Sequence, residues 1–296
     1  MQSPEEKNQL QIALLGPPLV RYAGRTQTID RYRTRSVLYY LACQPVPVTR
    51  EKLCGIFWPN GSEKTARKNL REILSHLRSQ FPDIEFITSR YDQLSLNPDS
   101  TNVDVQTFQS LIERVHFNLF ATPTGKLPES LYRELREGLG MWRTPRFMDG
   151  FAPKEMPEFD RWMSETGIGL HYWRQTFVER LADHNISSGN LSEAMFWLWQ
   201  AVQIDPLKTD LHYLILTSLR DSGKSEDIAN YMDQLIKIYQ TDHGLEVPQV
   251  LVDFVNRSLE SKKQSMIPPA IFGEKGIGPQ PTFVGRKEIL QQLAIW

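Results

Sequence analysis

The chain has 296 residues, a formal net charge of −1, 40% hydrophobic and 10% aromatic residues. That length accommodates two domains with their own cores, and the apolar content is that of a folded protein rather than a disordered one. No apolar run approaches the ~18–20 residues of a membrane span, and residues 1–10 carry neither the basic nor the apolar part of a signal peptide, so a cytoplasmic protein is expected. The two cysteines, Cys43 and Cys54, fall in apolar helical patterns and read as reduced core thiols.

The near-neutral total hides an asymmetry. Between residues 31 and 78, ten Lys and Arg face three Asp and Glu, whereas from residue 103 onward acidic residues outnumber basic ones. A local basic field on a neutral chain suits one phosphate-binding surface.

Residues 10–29 read as short strands: Leu10, Ile12 and Leu14 alternate with Gln11 and Ala13, Gly16-Pro17-Pro18 interrupts, and Leu19–Tyr22 resumes before a turn at Gly24. Three helices are predicted next. The first covers about 33–44 and ends at Pro45 and Pro47. The second begins at the N-cap Thr49 and stops at Trp58-Pro59. The third begins at the N-cap Ser62 and runs to about Gln80, before Pro82. Alternation over 84–88 and again at Leu94 and Leu96, around Ser89-Arg90-Tyr91-Asp92, predicts a hairpin. Strands, three helices and a terminal hairpin are the layout of a winged helix-turn-helix.

From Asp104 the pattern is helical, with helices predicted over 104–117, 128–141, 154–186, 191–203, 207–221, 225–241 and 248–260. Ser188-Gly189-Asn190 recurs 34 residues later as Ser222-Gly223-Lys224, placing Ala194 opposite Ile228 and Ala201 opposite Leu235. A helix–turn–helix period of ~34 is the tetratricopeptide signature. Trp197 and Trp199 read as packing residues. The expected fold class is therefore mixed: an N-terminal α+β winged helix-turn-helix over residues 1–102, an all-α tetratricopeptide-like domain over 103–262, and a linker with the start of a further domain over 263–296.

The third helix carries the most specific functional pattern. At 100° per residue, Ala66, Leu70, Ile73, Leu74 and Leu77 form an apolar stripe spanning about 80° to either side. Lys68, Arg71, Ser75 and Arg78 point away from it, with Lys64 and Arg67 close by. Such a helix packs on one side and offers cations to a major groove on the other, where Arg reads guanine and Lys or Arg neutralises phosphate. A solvated surface helix is the plainer alternative. Arg31, Arg33 and Arg35, at the start of the first helix, suit phosphate contact beside free backbone amides; ordinary solvation is again the alternative. Arg90 at the hairpin tip suits a minor groove, and Tyr91 either stacks on sugar or covers the hairpin.

Catalytic patterns are missing from the sequence. Gly61-Ser-Glu-Lys64-Thr65 lacks two glycines of a phosphate loop, the six histidines are scattered, and no Cys/His pair has ligand spacing. No enzyme activity, cofactor or metal is expected.

Taken in order, several segments resemble the SARP-like (antibiotic-regulator type) bacterial transcriptional activators, which join an OmpR-like winged helix to a bacterial transcriptional activator domain. In the first domain these are Ile12-Ala-Leu-Leu-Gly16, Thr49-Arg-Glu-Lys-Leu53, Phe57-Trp-Pro59, Ala66-Arg-Lys-Asn-Leu-Arg71 and Leu77-Arg78. In the second they are Val103-Asp104 with Phe108, Phe147-Met-Asp-Gly-Phe151, Glu158-Phe-Asp-Arg-Trp162, Asp205-Pro206 and Tyr231. The resemblance implies binding of double-stranded DNA as a homodimer on promoter repeats and recruitment of RNA polymerase. Phe283-Val-Gly-Arg286 with Glu288 looks like the entry to a signal-transduction NTPase domain, which implies a fragment of a longer protein. Two alternatives are a protein-interaction scaffold that uses the repeats to hold a partner, and a regulatory arm of such an NTPase.

Overall fold

A computed structural model describes residues 9–122 and 125–265. The expected segment 263–296 therefore lies almost wholly outside the described residues.

The chain opens with β1 (Leu10–Ala13) and β2 (Leu19–Tyr22), paired antiparallel with Gln11 opposite Arg21. A two-residue loop then leads to β3 (Arg25–Thr26). Both loop residues, Ala23 and Gly24, have positive φ, the backbone that a tight hairpin loop needs to match strand twist.

The first three helices follow where periodicity placed them. Helix α1 (Tyr32–Ala42) is buried along most of its length. After the short β4 (Val48–Thr49), α2 (Arg50–Phe57) starts at Thr49, whose hydroxyl accepts from the Lys52 amide. Helix α3 (Glu63–Gln80) starts at Ser62, whose hydroxyl accepts from the Thr65 amide. Each cap satisfies an amide that the helix itself cannot.

The hairpin is β5 (Ile87–Arg90) and β6 (Gln93–Leu96), with β4 on its other side in the order β4-β6-β5. It begins three residues later than the alternation suggested. The segment after Pro82 first closes a turn, with the Ile84 amide donating to Phe81 O and Asn97 Nδ2 to Glu85 O, so Ile84 is spent on the turn. Two strands had no sequence signal, the short β4 and β7 (Thr101–Val103); β7 runs parallel to β1, Leu10 opposite Thr101, giving the order β3-β2-β1-β7.

The remainder is helical: α4 (Asp104–Ala121), α5 (Glu129–Gly140), α6 (Pro157–Ser187), α7 (Leu191–Ile204), α8 (Thr209–Asp221), α9 (Ser225–Ile236) and α10 (Gln249–Ser265). Helix α9 continues as one wide turn over Lys237–Asp242. The 34-residue repeat appears atom for atom at two helix ends. Gly189 has φ +75 and Gly223 φ +71. The Asn190 amide donates to Asn185 O and the Gly189 amide to Ile186 O, and Lys224 and Gly223 do the same to Leu219 and Arg220. These are paired Schellman ends, in which only a left-handed residue lets both amides reach back. Ala194, Ile228, Ala201 and Leu235 are all buried, as a repeat that shares its core with its neighbour requires.

The two units are welded along an aromatic seam. Tyr32 stacks on Phe151 at 4.7 Å, Tyr40 packs on Trp162 at 4.6 Å and Phe57 on Phe159 at 5.4 Å. Polar bonds run beside it: the Asp104 carboxylate accepts from the Leu14 and Leu15 amides at 2.8–2.9 Å, and the Arg143 and Met148 amides donate to Leu15 O and Leu14 O at 2.9 Å. Burial raises the Asp104 carboxyl above its ordinary range, against the opposing pull of those amides. One continuous hydrophobic core runs from Leu10 to Val255. Both cysteines are free thiols in it, raised by burial.

Candidate nucleic-acid interface

The rotation of α3 is fixed by what it buries. Ala66, Leu70, Ile73, Leu74 and Leu77 are all in the core, so Lys64, Lys68, Arg71, Ser75 and Arg78 are forced outward, and each is exposed. Glu63 in the first turn and Arg78 in the last complement the helix dipole.

The outward cations are differently engaged. Lys68 lies 3.8 Å from Glu72, with both side chains largely exposed; such a pair contributes little and yields readily to a phosphate. Arg71 turns its Nε onto Arg67 O at 3.3 Å, an intrahelical bond that leaves the outer guanidinium nitrogens for a partner. Arg67 is half-exposed and differs from its neighbours. It pairs with Glu63 at 2.9 Å and with Asp92 of the hairpin turn at 3.5 Å. The Glu63 hydrogen bond and the Asp92 charge hold its guanidinium above the ordinary value.

That second pair brings the hairpin beside α3. Arg50 of α2 adds a bond from Nη2 to Ser89 Oγ at 3.0 Å, and the Arg50 amide donates to Asp92 O at 2.8 Å. The tip is therefore tied from two helices. Arg90 is exposed at its edge. Tyr91 is fully exposed and holds a left-handed backbone at φ +53, a conformation that costs a tyrosine roughly 1–3 kcal/mol. An aromatic held out in water on a strained turn gains nothing from the fold itself. Sequence reasoning missed Arg50 and Asp92. No local signal pointed to them, because Arg67 and Asp92 meet across 25 residues of sequence.

The arginines of α1 are placed elsewhere. Arg33 lies 5.8 Å over the Trp58 ring, and its Nη2 reaches Glu155 O at 3.5 Å. Arg35 lies 4.9 Å over Tyr32 and 5.9 Å over Phe151, with its Nε buried and without an acceptor. Both sit on the aromatic seam rather than with the α3 face. Arg31 remains exposed at the N-cap of α1. The structure thus gathers Lys64, Arg67, Lys68, Arg71, Ser75, Arg78, Arg90 and Tyr91 on one helix and its neighbouring turn, and separates Arg33 and Arg35 from them. Among the described residues, no group of three His, Cys, Asp or Glu is placed to hold a metal ion, and no helix is long and apolar enough to cross a membrane.

Comparison with known proteins adds the family. A search of curated proteins found no match. Among solved structures, the chain resembles Mycobacterium tuberculosis EmbR, solved in complex with a low-affinity phosphopeptide, with a TM-score of 0.59 at 19% identity. The likeness covers 86% of this chain and 65% of that one, so this chain spans about two thirds of EmbR's length. At that identity it speaks for the fold, and it matches the winged helix joined to helical repeats. A family model described as "Bacterial transcriptional activator domain" matches residues 103–251, half of the 296-residue chain. The chain belongs to the bacterial transcriptional activator domain family, with the SARP-like arrangement of a winged helix followed by tetratricopeptide-like helices.

Proposed function

We propose that this protein is a sequence-specific DNA-binding transcription activator that inserts α3 into the major groove and lays the β5–β6 tip beside it. One observation carries the reading. The buried stripe of α3 leaves Lys64, Lys68, Arg71, Ser75 and Arg78 as an outward basic face, and Arg67 and Arg50 clamp the hairpin tip next to it. In this arrangement Arg71 sits at mid-helix, where base edges come within reach. Lys64 and Arg78 sit toward the ends, where phosphates approach. Arg90 and Tyr91 extend the contact toward the neighbouring minor groove. Arg31 adds a phosphate contact from the start of α1. Membership of the activator family supports recruitment of RNA polymerase, and DNA repeats would be met by a homodimer.

The experiment is selection from a randomised duplex pool followed by transcription in vitro. An enriched motif, and stimulation of RNA polymerase on promoters that carry it, are the expected results. A pool that emerges without a motif contradicts sequence-specific binding. A motif without stimulation restricts the protein to DNA binding.

A further inference from the structure

Helices α4 and α6 present a second surface feature. A groove of about 360 Å³ runs between them, with Ile112, Leu170 and Trp173 as its floor. Glu113 stands on one side, Glu165 on the other, and Gln109 at one wall. Neither carboxylate has an ion-pair partner among the described residues. Gln109 Oε1 is buried and has no donor. Beside the groove, Phe117, Phe120 and Tyr172 are exposed by 77%, 66% and 57%, with Phe120 and Tyr172 packed against the Trp173 ring at 6.0 and 5.6 Å. A contiguous aromatic apron of this kind marks a contact surface.

The chemistry of the groove is one-sided. Two exposed carboxylates, Glu113 and Glu165, flank it, and the Trp173 ring lines it. A guanidinium meets all of these: it donates to carboxylates in a bidentate fork and stacks on tryptophan. The apron requires apolar neighbours on the same ligand. A second copy docked two-fold about this groove would crowd four carboxylates into one contact, which disfavours that occupant. The geometry points to an arginine-bearing amphipathic helix of a protein partner, which seats its arginine between Glu113 and Glu165 over Trp173 and its apolar residues on Phe117 and Phe120.

Gly169 supplies the test. It lines the groove, and a Cβ there meets nothing within 4 Å, so Gly169→Leu fills the groove without straining the fold. The probe is a labelled helical peptide of about 16 residues with leucines at i, i+3, i+4 and i+7 and two arginines four apart. A twin peptide carries glutamates in place of the arginines. Anisotropy titrations use the whole chain. The arginine peptide binds, the glutamate twin does not, the Glu113→Gln/Glu165→Gln double variant weakens binding about tenfold or more, and Gly169→Leu abolishes it. No variant lowers the melting temperature or the DNA affinity, and Gly169→Leu raises the former through its better helix propensity. The assignment is overturned if the wild-type chain ignores the arginine peptide, if both peptides bind alike, or if the variants bind as the wild type does. It is also overturned if sedimentation shows a dimer that Gly169→Leu dissociates, because the occupant is then a second copy.

Discussion

The arginines of α1 and those of α3 are two dense basic stretches within one domain, yet they end in opposite environments. Arg33 and Arg35 lie on Trp58, Tyr32 and Phe151 at the seam. Arg71 and Arg78 face water. What differs is the surroundings: α1 has aromatic residues from α6 and the 147–151 segment delivered to it, whereas among the described residues the outward side of α3 stays exposed. Density of positive charge says that a surface is basic; the neighbouring aromatic groups decide whether a cation holds the fold or waits for a ligand.

The comparison breaks hardest at the seam itself. Phe159 is fully buried against Phe57, Phe151 and Trp162. Phe159→Ala is expected to cost on the order of 3–5 kcal/mol in chemical unfolding, through lost burial and the cavity left behind. Independent unfolding of the two units, with this variant costing under about 1 kcal/mol, would show that the seam is not a shared core.

A smaller effect is expected at Gly138, where a Cβ would stand 2.3 Å from Leu111 Cδ2 in the packed core between α5 and α4. Gly138→Ala should lose roughly 1–3 kcal/mol despite alanine's better helix propensity. A stabilised variant would mean that Leu111 moves aside freely.

The paired arginines come next. Arg35→Ala should lower stability by about 0.5–2 kcal/mol, because its guanidinium packs on two rings, and leave the salt slope of DNA binding unchanged. Arg78→Ala should leave stability unchanged and reduce that slope by roughly one. Melting curves and titrations at several salt concentrations separate the two outcomes. A reduced slope for Arg35→Ala would put α1 back on the DNA.

The smallest effect is a pH dependence confined to the helical unit. Burial lowers His171, His184 and His212 below their ordinary value. Each ring has a nitrogen placed to accept: His184 Nδ1 from the Leu127 amide at 2.9 Å, His171 Nε2 from the Phe147 amide at 3.5 Å, and His212 Nδ1 from the Tyr231 hydroxyl at 2.7 Å. The unfolded chain takes up these protons more readily than the folded one. Stability is therefore complete above the unfolded value near 6.5 and falls as the pH drops through it towards the lowered folded values. The melting temperature should decline as the pH falls below about 6.5; a flat profile contradicts rings held neutral by the fold.

Much of this was legible in the sequence because each signal was local. Thr49 and Ser62 announce their helices through one hydroxyl each, and Gly189 and Gly223 announce the repeat because only one backbone conformation closes those helix ends. The rotation of α3 followed from five apolar residues. Non-local pairings were not legible. Strand β7 exists only because Thr101–Val103 meets β1 some 90 residues away, and nothing in Arg35 reveals that Phe151 arrives beside it. The clamp from Arg67 to Asp92 was hidden for the same reason: Arg67 carries the charge of a DNA contact and is held by the hairpin turn.

The central claim is that α3 reads DNA with an orientation set by its buried stripe. The most direct measurement is titration of Arg71→Ala against the selected duplex and a scrambled one, across a salt series. The account predicts a loss of about 1–3 kcal/mol on the selected site, a smaller loss on the scrambled duplex and relaxed preference at one base pair. Equal affinity of variant and wild type for both duplexes, at every salt concentration, would show that this face of α3 does not enter the groove.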